Sequence, residues 1–409
     1  MDKKRIVITG IGVVSSIGIG KEAFWDSLFA GKSGIKPVTL FDTSKTRSKL
    51  AGEISDFDPV SILGPKGLRN LDRTTLLALS AAKLCLTDAK VQVTRENTDQ
   101  IGVILGCTMG SIKSISDFDK EAISEGPYYV NPALFPNTVM NSPASQISIK
   151  FGLRALNTTI STGFTASLDS MIYAISCLRL GRAKMILAGG VEELCEPTFL
   201  GFYKMGALAG TREDKLEICA PFDKKRNGLV LGEGASILLL ETMESAIERG
   251  AVIYAELKGV GSAFDPYRWN RYNLKAEGAA KSVEITLEDA GFSQKEIDYI
   301  LTGANSTVDG DVMEARAIRK IFDGESQNIP VCPIKALIGE CFSATSALEV
   351  ASACGIFNSG KLPLVRIDEP DRRCLLRFDS DCNKEIERIL LTSFSPMGTN
   401  SSMVLKKVL

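Results

Sequence analysis

Residues 158–190 read TTISTGFTASLDSMIYAISCLRLGRAKMILAGG, and residues 331–365 read VCPIKALIGECFSATSALEVASACGIFNSGKLPLV. Each stretch starts as a strand, turns tightly, and continues as a helix rich in Ala and Ser. Each then stops at a Gly followed by a basic residue (Gly181-Arg182, Gly360-Lys361) and enters a further apolar run. In the first copy Leu168, Met171, Ile172, Ile175 and Leu178 fall on one helical face. Ser167, Ser170, Ala174 and Cys177 are small enough to let that helix sit deep in a core. A unit that occurs twice predicts a duplicated chain. The junction is expected near residue 250, after the helix ETMESAIERG, which divides the chain into residues 1–250 and 251–409.

Around these copies, short β-branched runs alternate with longer helical patterns: RIVITGIGVV, IGVILGC, KMILAGG, ASILLLE, YAELKGVGSA, IDYILTGAN, RILLTSFS and SMVLKKV. That alternation predicts an α/β fold with helices covering a sheet. The strands are apolar throughout, as strands buried on both faces are. No low-complexity linker separates the halves, so they should pack as one body.

Composition narrows the chemistry. The chain has 409 residues, 44% hydrophobic and 24% charged, enough for a large core without a metal or disulfide staple. Lys plus Arg is 48 and Asp plus Glu is 49, a net charge of -1. That balance supplies no basic field for a general nucleic-acid or membrane-surface binder. Histidine is absent, which excludes an imidazole base, a Ser-His-Asp triad and a His-ligated metal. The ten cysteines are scattered, with no CxxC pair. Those in apolar or small-residue surroundings (Cys85, Cys107, Cys177, Cys354) read as reduced core thiols of a cytoplasmic protein. The apolar start MDKKRIVITGIGVVSSIGIG is broken by glycines at 10, 12, 18 and 20 and reads as a first strand, not a signal peptide. No uninterrupted 18-residue apolar span predicts a transmembrane helix.

The phrase TGIGVVSSIG places Gly10-x-Gly12 after a strand, yet its third fingerprint position is Ser15 and no acidic partner is clear downstream, so a dinucleotide site is not expected. No GxxxxGK[ST] segment exists. Other phrases point elsewhere: Pro221-Phe222-Asp223-Lys224-Lys225-Arg226-Asn227-Gly228 runs into Leu231-Gly232-Glu233-Gly234-Ala235, and Ser393-Phe394-Ser395-Pro396-Met397-Gly398-Thr399-Asn400 stands near the end. With TGIGVVSSIG, Gly310-Asp311-x-x-Glu314 and the Lys335 turn, the chain resembles the β-ketoacyl-[acyl carrier protein] synthases (ketosynthases) collinearly over nearly its whole length. The likeness is strongest to the elongating enzymes of type II fatty acid and polyketide synthesis. The resemblance implies a thiolase fold: two pseudo-duplicated halves in five layers, α-β-α-β-α, normally dimeric and without a cofactor.

In that family a Cys at a helix N-terminus carries the acyl chain as a thioester, and two histidines drive decarboxylation of the malonyl unit. A helix terminus favours the thiolate. Here the nucleophile turn is Thr162-Gly163-Phe164-Thr165-Ala166, with Phe164 in the Cys position. The first His position falls at Asn305 and the second at Glu340, while the accompanying Lys335 and Glu349 are present. All three reactive side chains are replaced. The gating loop reads Ser395-Pro396-Met397-Gly398; proline and the lost glycines should restrict its motion. Thr165 lacks a base to activate it, and Cys341 follows Glu340, whose carboxylate would raise a thiol pKa.

The resemblance therefore implies a catalytically inactive ketosynthase homologue, similar to the chain-length factors that pair with an active ketosynthase and shape its pocket. Two alternatives remain. One is an acyl-binding scaffold homodimer; the other is an unconventional acyltransferase using residues such as Asn305, Glu340 and Lys335. Partners implied are an active ketosynthase subunit or a second copy, and the acidic acyl carrier protein. Leu134 and Phe135, in Asn131–Asn137 (NPALFPN), together with Phe164, Pro396 and Met397, are the expected chain-pocket residues. Lys66, Arg69 and Arg73 are the expected carrier-docking cations, with Asn70 at a position where a further basic residue would stand.

Overall fold

The computed structural model describes residues 3–378 and 384–408. Its first half runs β1 (Ile6–Ser15), α1 (Arg73–Asp88), β2 (Ile101–Gly106), α2 (Ser142–Phe151), β3 (Asn157–Ile160), α3 (Ala166–Arg179), β4 (Met185–Glu192) and β5 (Gly234–Thr242). The second repeats the path: β6 (Ala255–Phe264), α4 (Glu277–Ala290), β7 (Tyr299–Leu301), α5 (Val308–Phe322), β8 (Val331–Cys332), α6 (Thr345–Ser359), β9 (Arg388–Phe394) and β10 (Thr399–Lys406). Strand order is β3-β2-β4-β5-β1 in one half and β8-β7-β9-β10-β6 in the other, the same permutation. β5 is antiparallel to both neighbours, as is β10. The duplication holds strand for strand. The halves also join edge to edge, Ile6, Val7 and Ile8 pairing antiparallel with Leu257, Glu256 and Ala255.

Helices α1 and α2 pack on the first half's strands, and α4 lies on β6 and β10 with α5 packed against it. Helices α3 and α6 lie between, each touching strands of both halves, which completes the α-β-α-β-α order. A helix in that middle layer has no solvent face. In α6 every residue from Thr345 to Phe357 is buried, as a helix in a core requires. In α3 the apolar face is inward, with Leu168, Met171, Ile175 and Leu178 fully buried and Ile172 partly so. Its serines find partners: Ser170 donates to the Gly189 carbonyl at 2.8 Å, and Ser167 Oγ accepts from the Ala347 amide at 3.1 Å. A buried hydroxyl without such a bond would cost about 1–3 kcal/mol.

The glycines of TGIGVV have a packing role. A Cβ at Gly12 would lie 1.9 Å from the Ala81 carbonyl oxygen, so α1 rests directly on the backbone of β1. Gly261 on β6 meets Ser282 and Thr286 of α4 in the same way. Nine of the ten cysteines are free, with Cys219 alone among them partly exposed; Cys382 lies outside the described residues. Among the described residues no helix is long and apolar enough to cross a membrane.

Candidate functional site

Each middle-layer helix starts in a short 3-10 turn, Gly163–Thr165 before α3 and Phe342–Ala344 before α6. Gly163 has φ +76°, a value that suits glycine at the strand-to-helix corner. The next residue, Phe164, is 6% exposed, and its ring meets Phe342 edge-on, centroids 5.3 Å apart at 72°. The Phe202 ring also packs on Phe342, centroids 5.2 Å apart. Leu194, Phe199, Leu208 and Leu231 complete this apolar cluster. Edge-to-face pairs add about 0.5–1.5 kcal/mol to the burial itself. The position at which the resemblance expects a nucleophile is therefore filled by hydrocarbon and braced from the other half of the molecule.

The turn is also fixed by polar groups. The Thr162 hydroxyl bonds Asp169, Thr165 Oγ1 donates to Asp169 Oδ2 at 2.7 Å, and Ser401 donates to Asp169 Oδ1 at 2.5 Å. Thr108 donates to the Gly163 carbonyl and Ser393 to that of Phe164, at 2.8 and 3.2 Å. Asp169 brings a negative charge into the first turn of α3, and each of its oxygens is already bonded.

The second half supplies a closed network. Lys335 Nζ lies 2.8 Å from Glu340 Oε2, both side chains at most 3% exposed, so the two form a fully buried ion pair. Lys335 also donates to the Gly303 carbonyl at 2.8 Å. Asn305 Nδ2 donates to Glu340 Oε2 at 3.1 Å, while Glu340 Oε1 accepts from the Phe342 amide at 2.9 Å and from Thr345 at 3.2 Å. Burial alone would pull the Lys335 ammonium down, but the facing carboxylates of Glu340 and Glu349 outweigh it and hold the pKa above its usual range. Glu349 is pushed far above the carboxylate range by burial, and neither of its oxygens has a hydrogen-bond partner. Burial also lifts Glu314 to about 7. The Cys341 thiol, fully buried beside Glu340, is driven well above its ordinary value, first by burial and then by that carboxylate. It is no nucleophile.

The Ser395-Pro396-Met397-Gly398 loop sits against the Gly163 turn, and its backbone is pinned. Ser395 accepts from Gly398, Pro396 from Arg271 and Gly398 from Asp265, at 3.0, 3.0 and 2.7 Å. Pro396 is buried and Met397 is 39% exposed. Leu134 and Phe135 lie in a 3-10 segment, Pro132–Thr138, exposed at 38% and 56%. Phe135 packs on Phe118 at 5.9 Å. Lys66 and Arg69 are exposed. Arg73 is a correction: its guanidinium turns inward to a two-point pair with the fully buried Glu233, at 2.5 and 2.7 Å, and to the Ile54 carbonyl at 2.9 Å. It is spent on the fold and is not available to a docking partner.

Phe342 and Phe202 belong to the site but do not stand out in the sequence alone. The signal for Phe342 was in the repeat, where Phe164-Thr165-Ala166-Ser167 aligns with Phe342-Ser343-Ala344-Thr345. The duplication places these two turns face to face, so a Phe in each produces the ring pair. Tyr272 joins the network through Asn305 at 3.4 Å, with its phenol pushed up by burial.

The chain matches the family model of the beta-ketoacyl synthase N-terminal domain over residues 3–246 and that of the C-terminal domain over residues 254–366. It is 34% identical to a 3-oxoacyl-[acyl-carrier-protein] synthase 2 of Coxiella burnetii over 412 aligned positions, covering all of both chains. Identity to the enzyme of the same name from Synechocystis is 31%, covering all of this chain and 99% of that one. Among solved structures it is similar to the ishigamide ketosynthase/chain length factor, with a TM-score of 0.92 and 30% identity over the whole of both chains. A type II polyketide ketosynthase in complex with its acyl carrier protein (AntDE:AntF) follows at 0.89 and 28%, again over the whole of both chains.

Proposed function

Because the chain belongs to the β-ketoacyl synthase family, we propose that it is a non-catalytic, chain-length-factor-like subunit that pairs with an active ketosynthase in fatty acid or polyketide synthesis. The observation that carries this reading is the double occupation of the reaction centre. Phe164 offers no atom for a thioester, and the Asn305–Glu340–Lys335 network has no base free to act on a bound malonyl group. A general base must reach the proton it removes, within about 2.6–3.2 Å or through one water. Glu340 is within reach only of its four internal partners.

Pairing is supported by the segment that precedes α2. Ile123, Tyr128, Tyr129, Phe135, Val139 and Met140 are exposed at 40–96%. Apolar side chains concentrated this closely on a surface mark an interaction face. Leu134 and Phe135 lie in it and would form part of a shared acyl pocket. Acyl carrier protein then reaches the pair through the catalytic partner, with Lys66 and Arg69 as this subunit's contribution. Tagged co-expression with a ketosynthase from the same operon tests the reading. A 1:1 complex with condensing activity, lost when the partner's nucleophile is mutated, is the expected result. A catalytically active homodimer would overturn it.

A further inference from the structure

Glu192 ends β4 with a side chain fully shielded from solvent. Its hydrogen-bond partners are three amides and one hydroxyl, with no lysine or arginine among them. Oε1 accepts from Met109 and Gly110 at 2.9 and 3.0 Å, and Oε2 accepts from Thr108 at 3.2 Å. Oε2 also meets the Ser343 hydroxyl, which stands 2.8 Å from the Val191 carbonyl. A serine hydroxyl has one hydrogen to donate, and both of these neighbours are acceptors when Glu192 is ionised. All the bonds are made at once only when Oε2 carries a proton and donates it to Ser343, which then donates to Val191. In that state Oε1 uses its two lone pairs, and Oε2 gives one bond and takes one. The hydrogen-bonding capacity of a neutral carboxylic acid is filled.

The surroundings also favour the acid. Opposite Glu192 on β5 stands Gly234, which brings no charge, and the turn before α6 presents the neutral Ser343. The titratable groups around it are Cys107 after β2, and Glu193 and Cys195 beyond β4. Asp72, which caps α1, and Glu233, just before β5, face Glu193, and Arg73 is held by Glu233. Burial pushes the Glu192 carboxyl up to about 7. In the second half the equivalent loop, after β7, is held by Glu314 and Asp311 through the Gly303 and Asn305 amides, with Lys335 and Arg226 close by. Glu192 has no such cation.

What Glu192 holds reaches beyond one loop. Thr108, Met109 and Gly110 lead through Ser111 into the helix Ile112–Ser124, and from there into the exposed apolar segment that ends at Met140. Thr108 donates to the Gly163 carbonyl, one residue before Phe164, and Ser343 directly follows Phe342. One carboxyl thus joins the surface segment to both turns that carry the ring pair. We propose that Glu192 is a proton-operated coupler: protonated, it holds the pairing segment and the Phe164–Phe342 rings together; ionised, it releases them and pairing weakens. The effect on pairing rests on the function proposed above; the coupling within the chain does not. Because the coupled state carries the proton, it prevails at lower pH and is lost as pH rises through about 7.

The test uses the full chain. Hydrogen exchange at the Thr108, Met109 and Gly110 amides, corrected for the intrinsic rate, should lose about tenfold in protection or more between pH 6 and pH 8.5. Amides of β1 and β5 should not lose protection in step. E192Q keeps an acceptor for Met109 and Gly110 and a donor for Ser343, so its protection should stay level with pH. S343A covers the case in which E192Q misfolds: without an acceptor for its proton the acid is less favoured, so the step should move to lower pH. Movement to higher pH would mean that Ser343 donates to a carboxylate, and would overturn the coupler. So would equal slopes in wild type and E192Q, or a loss shared by the whole chain. Affinity for the co-expressed ketosynthase should fall more from pH 6 to pH 8.5 for wild type than for E192Q. An exchange step with equal affinity changes in the two proteins would overturn the control of pairing. An exchange step in a chain that pairs with no ketosynthase would uphold the coupling and remove the function.

Discussion

The Asn305 side-chain amide donates a 3.1 Å hydrogen bond to Glu340 Oε2, so the two residues that the family resemblance sets in histidine positions are bonded to each other. Glu340 also receives Lys335, the Phe342 amide and Thr345. A carboxylate offers about four lone-pair sites, and all are used. The network is structural: it ties the turn before α6 to the loop after β7.

Removing Lys335 from this network strands a buried charge. Breaking a buried pair from one side costs about 3–5 kcal/mol, whereas removing both members can be far milder. Lys335→Ala should therefore lower the melting temperature more than Lys335→Ala combined with Glu340→Ala. A four-way thermal cycle measures the coupling. Additive losses would show that the 2.8 Å contact contributes nothing.

Incubation with acyl-carrier protein should leave the intact mass unchanged. Phe164 holds no nucleophile, and the thiols nearest the network, the buried Cys341 and the partly exposed Cys219, are pushed up by desolvation, Cys219 to about 12. Thiols of that kind hold almost no thiolate at neutral pH. A stoichiometric acyl adduct on any residue would reverse the proposed function.

Much of this was legible in the sequence. Apolar periodicity marked eight strands that all form, and the repeat of Ala- and Ser-rich helices marked the middle layer. The turn at Phe164 and the pair Asn305 and Glu340 could be singled out directly, because a motif with a departing residue is still a motif. Arg73 could not be placed, since its partner Glu233 lies far along the chain and only the fold brings them together. The Phe164–Phe342 contact was hidden for the same reason, although the repeat contained both residues. The closed state of Glu340 depends on one backbone and three side-chain donors, and one of them, Asn305, is brought to it only by the fold.

The buried carboxyls make stability pH-dependent in a stated direction. Glu314 is raised from 4.5 to about 7 by burial, so the folded state holds its proton where the unfolded chain does not. Its contribution is complete below pH 4.5 and is lost as pH rises through 7, at most about 3 kcal/mol. Melting temperature should fall between pH 5 and pH 8. Glu314→Gln, which keeps an acceptor for the Gly303 amide and Thr392, should flatten that slope. Parallel slopes for the two proteins would exclude Glu314 as a source.

Phe164→Cys should not restore elongation. The new thiol would stand at the start of α3, where the helix terminus favours thiolate, but Asp169 in the first turn and the apolar cluster oppose it. Slow acylation is the most that this balance allows. Condensation would still lack both histidines, and one positioned acid–base group supplies about 10²–10⁴-fold. Phe→Ala changes in cores cost about 3–5 kcal/mol, and Cys should cost somewhat less, since its sulfur fills part of the space that faces Phe342. The expected protein is less stable, acylates slowly and does not extend a chain. A radiolabelled malonyl assay run beside the triple variant with Asn305→His and Glu340→His measures this. Robust elongation by the single variant would mean that the closed network opens and that Glu340 serves as a base.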